Sequence, residues 1–266
     1  EPSEFRQLAD SVSFCKARGI PVRIVGRGSN LLIRDGGIRG AVIHPAGGAF
    51  AAVTVEGNTI TAGVGVRFKK VASIAREHGI GGFEWMEGIP GNVGGGLRMN
   101  AGAMGVETFD QVVAVTFLDE DGEIRTRKRD EIKFYYRNVP ELRRNYALEA
   151  TFAGFPSDQQ AIQEKLNESR HHRNTTQPKA ASAGCTFKNP AVCGAGQLID
   201  EMGLKETGVG KAEVSPEHGN FIVNRGKASA SDVISLIETI KAKAKEDRGV
   251  VLETEIQILG EDEVVF

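Results

Sequence analysis

Glycine-rich segments are the first places in this chain where residue type and spacing suggest chemistry. One is Gly26-Arg27-Gly28-Ser29-Asn30-Leu31, which follows the apolar run Val22 to Val25. Another is Gly88-Ile89-Pro90-Gly91-Asn92-Val93-Gly94-Gly95-Gly96, followed by Asn100-Ala101-Gly102-Ala103. Glycine lets backbone N–H groups converge on an anion without side chains in the way, so such a pair of loops suits a diphosphate, and a flavin dinucleotide in particular. Either loop alone reads equally well as a tight turn. The first is not a dinucleotide fingerprint of the G-x-G-x-x-G kind, because Leu31 stands where the third glycine belongs. Gly210-Lys211-Ala212 lacks the preceding spaced glycine of a triphosphate loop.

Three further clusters carry polar chemistry. In Tyr135-Tyr136-Arg137-Asn138 an arginine beside an aromatic is able to clamp a carboxylate with two prongs, although from sequence alone a solvated arginine on a strand edge is favoured. Ser182-Ala183-Gly184-Cys185-Thr186-Phe187-Lys188-Asn189-Pro190 places a thiol among small residues with a cation three positions on. Cys185 reads either as a buried structural residue or as a proton donor whose ordinary pKa, about 8.5, suits neutral pH. Alternation in the terminal segment puts Glu253, Glu255 and Gln257 on one face, which is either wet or turned to a cleft where Glu255 acts as an acid or an orienter. His171-His172 lacks partners at metal-ligand spacing, so no metal is expected, and His218 carries no chemical assignment of its own.

The elements that must hold these groups follow from periodicity. Helices are predicted over Ser3 to Arg18, Arg67 to His78, Asp158 to His172, Gln197 to Met202 and Ser231 to Glu246. Strands are predicted at Val42–His44, Ala51–Val55, Thr59–Ala62, Val112–Leu118, Glu123–Arg127, Leu148–Phe155, Asn220–Asn224 and Val250–Leu259, with hairpin turns at Gly57-Asn58 and Asp121-Gly122. The class is α+β, without internal repeats or low-complexity linkers, and pattern shifts place boundaries near Ala49 and Ala181. At 266 residues the chain is long enough to bury a full core, and a formal net charge of −2 offers no basic field for nucleic acid. No apolar stretch approaches the length of a membrane span and no signal peptide is visible, so a cytoplasmic location is expected. Three cysteines, Cys15, Cys185 and Cys193, form no disulfide or zinc pattern. The first residue is Glu1 and not a methionine, which reads as a trimmed boundary.

Taken in order, Gly26 to Asn30, Gly88 to Gly91 with Asn100 to Ala103, Tyr136-Arg137, Gly184 to Pro190 and Leu252-Glu253-Thr254-Glu255 resemble the UDP-N-acetylenolpyruvoylglucosamine reductase (MurB) family. The resemblance covers nearly the whole chain. It implies a vanillyl-alcohol-oxidase-type FAD-binding fold of two subdomains, 1–48 and 49–180, a substrate-binding domain at 181–255, and a segment 256–266 returning to the first subdomain. It implies FAD and NADPH as cofactors, a UDP-sugar as substrate, a monomer, and hydride transfer to an enolpyruvyl group in peptidoglycan synthesis. FAD would be held by Gly26, Arg27, Gly28, Ser29, Asn30, Leu31, Gly88, Ile89, Pro90, Gly91, Gly94, Gly95, Asn100, Ala101, Gly102 and Ala103. The resemblance makes Arg137 and Glu255 stabilisers of the enolate-like species and Cys185 its proton donor, with Tyr136, Lys188, Asn189 and His218 on substrate. Cys185 stands where well-known members carry serine, and the short passage to it resembles the compact type II branch; the family's opening strand and glycine turn do not precede Glu1. Two other readings are another FAD-linked oxidoreductase of this fold, acting on an alcohol or sugar, and a non-catalytic nucleotide-binding module. No histidine lies between Arg27 and Gly40 to anchor a flavin covalently.

Overall fold

A computed structural model describes residues 1–262. The chain divides into two compact units, Glu1–Arg27 with Gly40–His172, and Gly28–Arg39 with Arg173–Phe266.

The first unit is built on a five-stranded sheet in the order Ile124–Lys128, Val112–Leu118, Tyr146–Ala153, Thr59–Gly63, Val53–Glu56, antiparallel at each step. Alternating burial along Tyr146–Ala153 sends Leu148, Ala150 and Phe152 to the core. They join Ile60, Phe68, Val71, Val93, Leu97, Phe109 and Phe117 there. A separate parallel pair, Val22–Ile24 with Ala41–Ile43, delivers the chain into the first glycine loop. The opening helix runs Phe5–Ala17 and not from Ser3: Glu4 is its N-cap, in a capping box with Gln7, while Ser3 itself binds the Gln7 side chain. The helix expected to close at His172 continues over Gln159–Thr176, because the first breaker, Pro178, comes only afterwards.

In the second unit, a four-stranded antiparallel sheet runs Ser182–Cys185, Phe221–Asn224, Ala212–Val214, Gly208–Val209. The helix Ala230–Arg248 contributes Leu236, Ile237, Ile240 and Ala244 to a core with Phe187, Ile199, Val214 and Ile222. That helix has two sets of N-terminal acceptors, the Ser229–Asp232 capping box and the distant Asp35, which takes the N–H groups of Ala230 (2.7 Å) and Ser231 (2.9 Å). The long terminal strand expected from Val250 shrinks to Gln257–Leu259, which pairs in parallel with Leu31–Ile33. Upstream of it, among the described residues, the one regular pairing is the isolated Phe187–Thr254 bridge. The architecture is α+β, as the periodicity indicated.

Candidate functional site

The first glycine loop begins in the first unit with Gly26 and Arg27 and continues in the second with Gly28, whose φ of +74° suits glycine. Its turn is closed by Leu31 N–H donating to Gly28 O at 3.1 Å. A methyl group added at Gly26 or Gly28 would meet no atom within 4 Å, so the backbone there is open on its side-chain side. Ser29 and Asn30 are half-buried.

The second loop leaves a short helical turn, Glu84–Gly88, whose Glu87 carboxylate is held between Lys69 (3.1 Å) and Arg170 (2.9 Å). Gly91 accepts the Phe68 N–H and Asn92 bridges to Arg67, which lays the loop along the start of the helix Phe68–Glu77. Val93 and Gly94 N–H groups are committed to Val66 and Val64 carbonyls. Gly94 therefore contributes backbone shape and not a free donor. Gly96 packs on Phe68, where a methyl would lie 2.0 Å from a ring carbon, while Gly95 faces open space. Asn92 is buried and its Oδ1 has no hydrogen-bond partner among the described residues. An unpaired buried acceptor beside an open glycine fits a polar, hydroxyl- or phosphate-bearing ligand such as a flavin dinucleotide.

Asn100 organises the turn beyond this loop. It is fully buried in the left-handed region (φ +41°), and its Nδ2 donates to Glu107 (2.7 Å) and to Tyr135 O (3.3 Å) while its Oδ1 accepts the Phe109 N–H (3.0 Å). Gly102-Ala103 pairs with Val106-Glu107 across Met104-Gly105, both at positive φ, so a tight return is the geometry of this segment. Tyr135 and Asn138 exchange backbone bonds around Tyr136-Arg137. Arg137 sits at φ +55°, its guanidinium 4.7 Å from the Tyr136 ring and its Nη1 3.4 Å from Asn100 O. Only 17% of its side chain is exposed, so it is not the solvated edge arginine that sequence alone favoured. A non-glycine residue in this conformation must be held there by its surroundings, and such strain concentrates at functional sites.

In the second unit Gly184, at φ +82°, marks an irregularity in the pairing of Ser182–Cys185 with Phe221–Asn224. The site a side chain would occupy at Gly184 lies 3.5 Å from Ser29 O. Cys185 is half-buried. The next residue, Thr186, accepts the Glu255 N–H at 2.8 Å, so the thiol-bearing strand and the carboxylate-bearing segment are laced together. Asn30 joins the same frame: its Nδ2 donates to Glu255 O (3.3 Å) and its carbonyl accepts the Gln257 N–H (2.9 Å). Lys188 is paired to Glu253 at 2.8 Å, a bond that also holds the Glu253 carboxyl below the usual range. Asn189 Oδ1 accepts the Ala195 N–H, and His218 Nδ1 accepts the Asn220 N–H at 3.1 Å. Burial lowers the His218 pKa. The first unit thus brings Arg137 and Tyr136 to Asn100, and the second brings Asn30, Cys185 and Glu255 onto one frame. Sequence reasoning noted Asn92 only as a polar residue of the second loop and left Glu87 and Asn220 out of the site; the available signal for Asn220 was a polar residue abutting the apolar run Phe221-Ile222-Val223. No group of three or more His, Cys, Asp or Glu able to hold a metal occurs among the described residues.

Residues 1–127 match the FAD binding domain family, and with the α+β architecture this defines the class: an FAD-binding protein with the vanillyl-alcohol-oxidase-type fold. Residues 177–259 match the C-terminal domain of UDP-N-acetylenolpyruvoylglucosamine reductase. The chain is 40% identical over 263 residues to the reductase of that name from Clostridium novyi (strain NT), covering 98% of this chain and 85% of the relative. It is 41% identical over 242 residues to that of Bradyrhizobium sp. (strain ORS 278), covering 91% and 79%. The crystal structure of UDP-N-acetylenolpyruvylglucosamine reductase (MurB) from Thermus caldophilus superposes with a TM-score of 0.84 at 35% identity, over 97% of this chain and 90% of that one. The chain belongs to the UDP-N-acetylenolpyruvoylglucosamine reductase (MurB) family.

Proposed function

We propose that this chain catalyses the NADPH-dependent, FAD-mediated reduction of the enolpyruvyl group of UDP-N-acetylglucosamine enolpyruvate to UDP-N-acetylmuramate. The observation that carries this reading is 40% identity to a named reductase over 98% of the chain. FAD, when bound, supplies the hydride chemistry, taking hydride from NADPH and giving it to the enolpyruvyl carbon. The open backbone of Gly26, Gly28 and Gly95, the unpaired Asn92 Oδ1, and Asn100 with the residues around it are the parts suited to hold it. In this reading Arg137 grips the substrate carboxylate and, with Glu255, stabilises the charge that develops beside it; donors aimed at emerging charge are the main source of such acceleration. Cys185 delivers the proton. Tyr136, Lys188, Asn189 and His218 hold the UDP-sugar, which requires Lys188 to exchange its Glu253 partner for substrate.

The finer division 1–48, 49–180 and 181–255, with 256–266 returning to the first segment, belongs to the same proposal. Its support is the pairing of Gln257–Leu259 with Leu31–Ile33; residues 263–266 of the last segment lie outside the described residues. A monomeric state, a cytoplasmic location and a place in peptidoglycan synthesis belong to the proposal too; no helix among the described residues is long and apolar enough to cross a membrane.

The test is spectroscopic. The purified protein should be yellow, release its flavin in acid, bleach with NADPH and regain colour with the enolpyruvyl substrate. Cys185→Ala should bleach normally yet recolour about 10²- to 10⁴-fold more slowly, the usual cost of deleting a general acid, and Cys185→Ser should recover much of that loss. Persistent failure to take up FAD overturns the whole reading; parent-like recolouring in Cys185→Ala overturns the proton-donor role.

A further inference from the structure

One buried asparagine lies beneath the substrate-side residues of the second unit. Asn220 is 2% exposed, and its side chain grips the backbone of Phe187 with both atoms: Oδ1 accepts the Phe187 N–H and Nδ2 donates to Phe187 O, each at 2.8 Å. Its own carbonyl accepts the Thr186 N–H at 2.7 Å, and its N–H donates to His218 Nδ1 at 3.1 Å. Phe187 is itself 1% exposed, so these bonds are shielded from water and their geometry is strongly enforced.

The bonds reach His218 directly and the backbone that joins Cys185, Lys188 and Glu255. Thr186 and Phe187 are the residues between Cys185 and Lys188. Thr186 O takes the Glu255 N–H (2.8 Å), and Lys188 N–H goes to Glu253 O (2.9 Å). The strand that carries the thiol and the segment that carries the carboxylate therefore meet at a dipeptide that Asn220 locks. The bond to His218 has a chemical consequence as well. A ring nitrogen that accepts a backbone N–H carries no proton, so neutral His218 bears its proton on Nε2 and presents a donor on the other side of the ring. Burial lowers the pKa of the imidazole and favours that neutral form.

We propose that Asn220 is a positioning residue for this reductase: its side chain is a two-pronged clamp that sets Cys185, Lys188 and Glu255 relative to one another, while its backbone N–H selects the Nε2–H tautomer of His218. The assignment of those four residues rests on the proposed function; the clamp itself rests on the bonds. No other residue type combines a short side chain with one acceptor and one donor at the required separation. Glutamine is a methylene too long for this space, and aspartate at neutral pH turns an oxygen toward Phe187 O where a donor is needed.

The experiment uses FAD-loaded Asn220→Asp. Flavin reduction by NADPH and reoxidation by the enolpyruvyl substrate are followed separately by rapid mixing, and Cys185 alkylation by iodoacetamide is followed by peptide mass spectrometry between pH 6 and 9. Reoxidation should slow about 10²-fold, the scale of an ångström-sized misplacement, with the alkylation profile of Cys185 displaced from that of the parent. Both variant-to-parent ratios should move back toward unity as the pH falls, because a protonated carboxyl supplies the missing donor. A folded, flavin-loaded variant that alkylates like the parent overturns the clamp, whatever its thermal stability. The alkylation arm also separates the two proposals: parent-like reoxidation in Cys185→Ala removes the catalytic role of the thiol but leaves its placement by Asn220 measurable. Should Asn220→Asp not fold, ¹⁵N spectra of the unaltered protein decide: a slowly exchanging Asn220 side-chain amide supports the clamp, and one that exchanges as fast as a solvent-exposed amide overturns it.

Discussion

Asn100 is where fold and cofactor motif depend on the same atoms, and its replacement by alanine has a magnitude that can be worked through. The side chain serves the Phe109 N–H, the Glu107 carboxylate and Tyr135 O, all from a fully buried position. Truncation leaves the Phe109 N–H unsatisfied in the interior, at a cost of about 1–3 kcal/mol. Alanine in the left-handed region, which asparagine tolerates better, adds about 1–2 kcal/mol. The Glu107 bond is discounted, since that carboxylate is about a third exposed and regains water. Asn100→Ala should therefore lose about 2–5 kcal/mol, and Asn100→Gly, which relieves only the backbone term, should be less destabilised by about 1–2 kcal/mol. Urea unfolding of both variants beside the parent measures this, with flavin fluorescence reporting FAD retention. Both variants should hold FAD more weakly, because Tyr135 O and the turn that carries Arg137 lose their tie to the loop. An alanine variant within 1 kcal/mol of the parent, or equal to the glycine variant, would refute the reasoning.

Arg137→Lys should cut steady-state turnover while sparing flavin reduction by NADPH, since a point cation cannot reproduce a planar two-pronged grip; normal turnover would return Arg137 to a structural role. Gly95→Leu is expected to leave the fold intact and weaken FAD retention, whereas Gly96→Ala, which meets the Phe68 ring at 2.0 Å, should destabilise by about 1–3 kcal/mol, as denaturant midpoints and flavin titration together will show. His218 sets a pH dependence of defined sign. Its lowered folded pKa means that the unfolded chain binds more protons below about 6.5, so stability is fully present above that value and lost as the pH falls toward the folded value. Comparing unfolding free energies at pH 7.5 and 5.5, His218→Gln should show a shallower loss than the parent, and an identical loss would remove His218 as its source.

Local pattern determined a good deal by itself. Apolar alternation and helical period located the strands Thr59–Gly63, Val112–Leu118 and Tyr146–Ala153 and the helices Phe68–Glu77 and Ala230–Arg248 to within a few residues, because each depends on burying one face at a characteristic repeat. Glycine spacing, the Cys185 segment and Glu255 were legible as candidate chemistry because residue type limits what a group can donate, accept or leave open, whereas for Arg137 the letters alone favoured a solvated edge. Tertiary structure decided the rest. No periodicity reveals that Asn30 hydrogen-bonds Glu255, 225 positions away, or that Asp35 caps a helix beginning at Ala230. The strand expected over Val250–Leu259 shortened because a strand needs a partner, and only Gln257–Leu259 found a continuous one in Leu31–Ile33. Gly94 and Gly95 are indistinguishable as letters, yet one is closed by Val64 and the other is open. Asn220 read as an ordinary polar residue and Asn92 as one polar residue of a loop, until burial gave the first four hydrogen bonds and left the second's Oδ1 with none among the described residues, and the energetic weight of a polar atom is set by whether water can reach it.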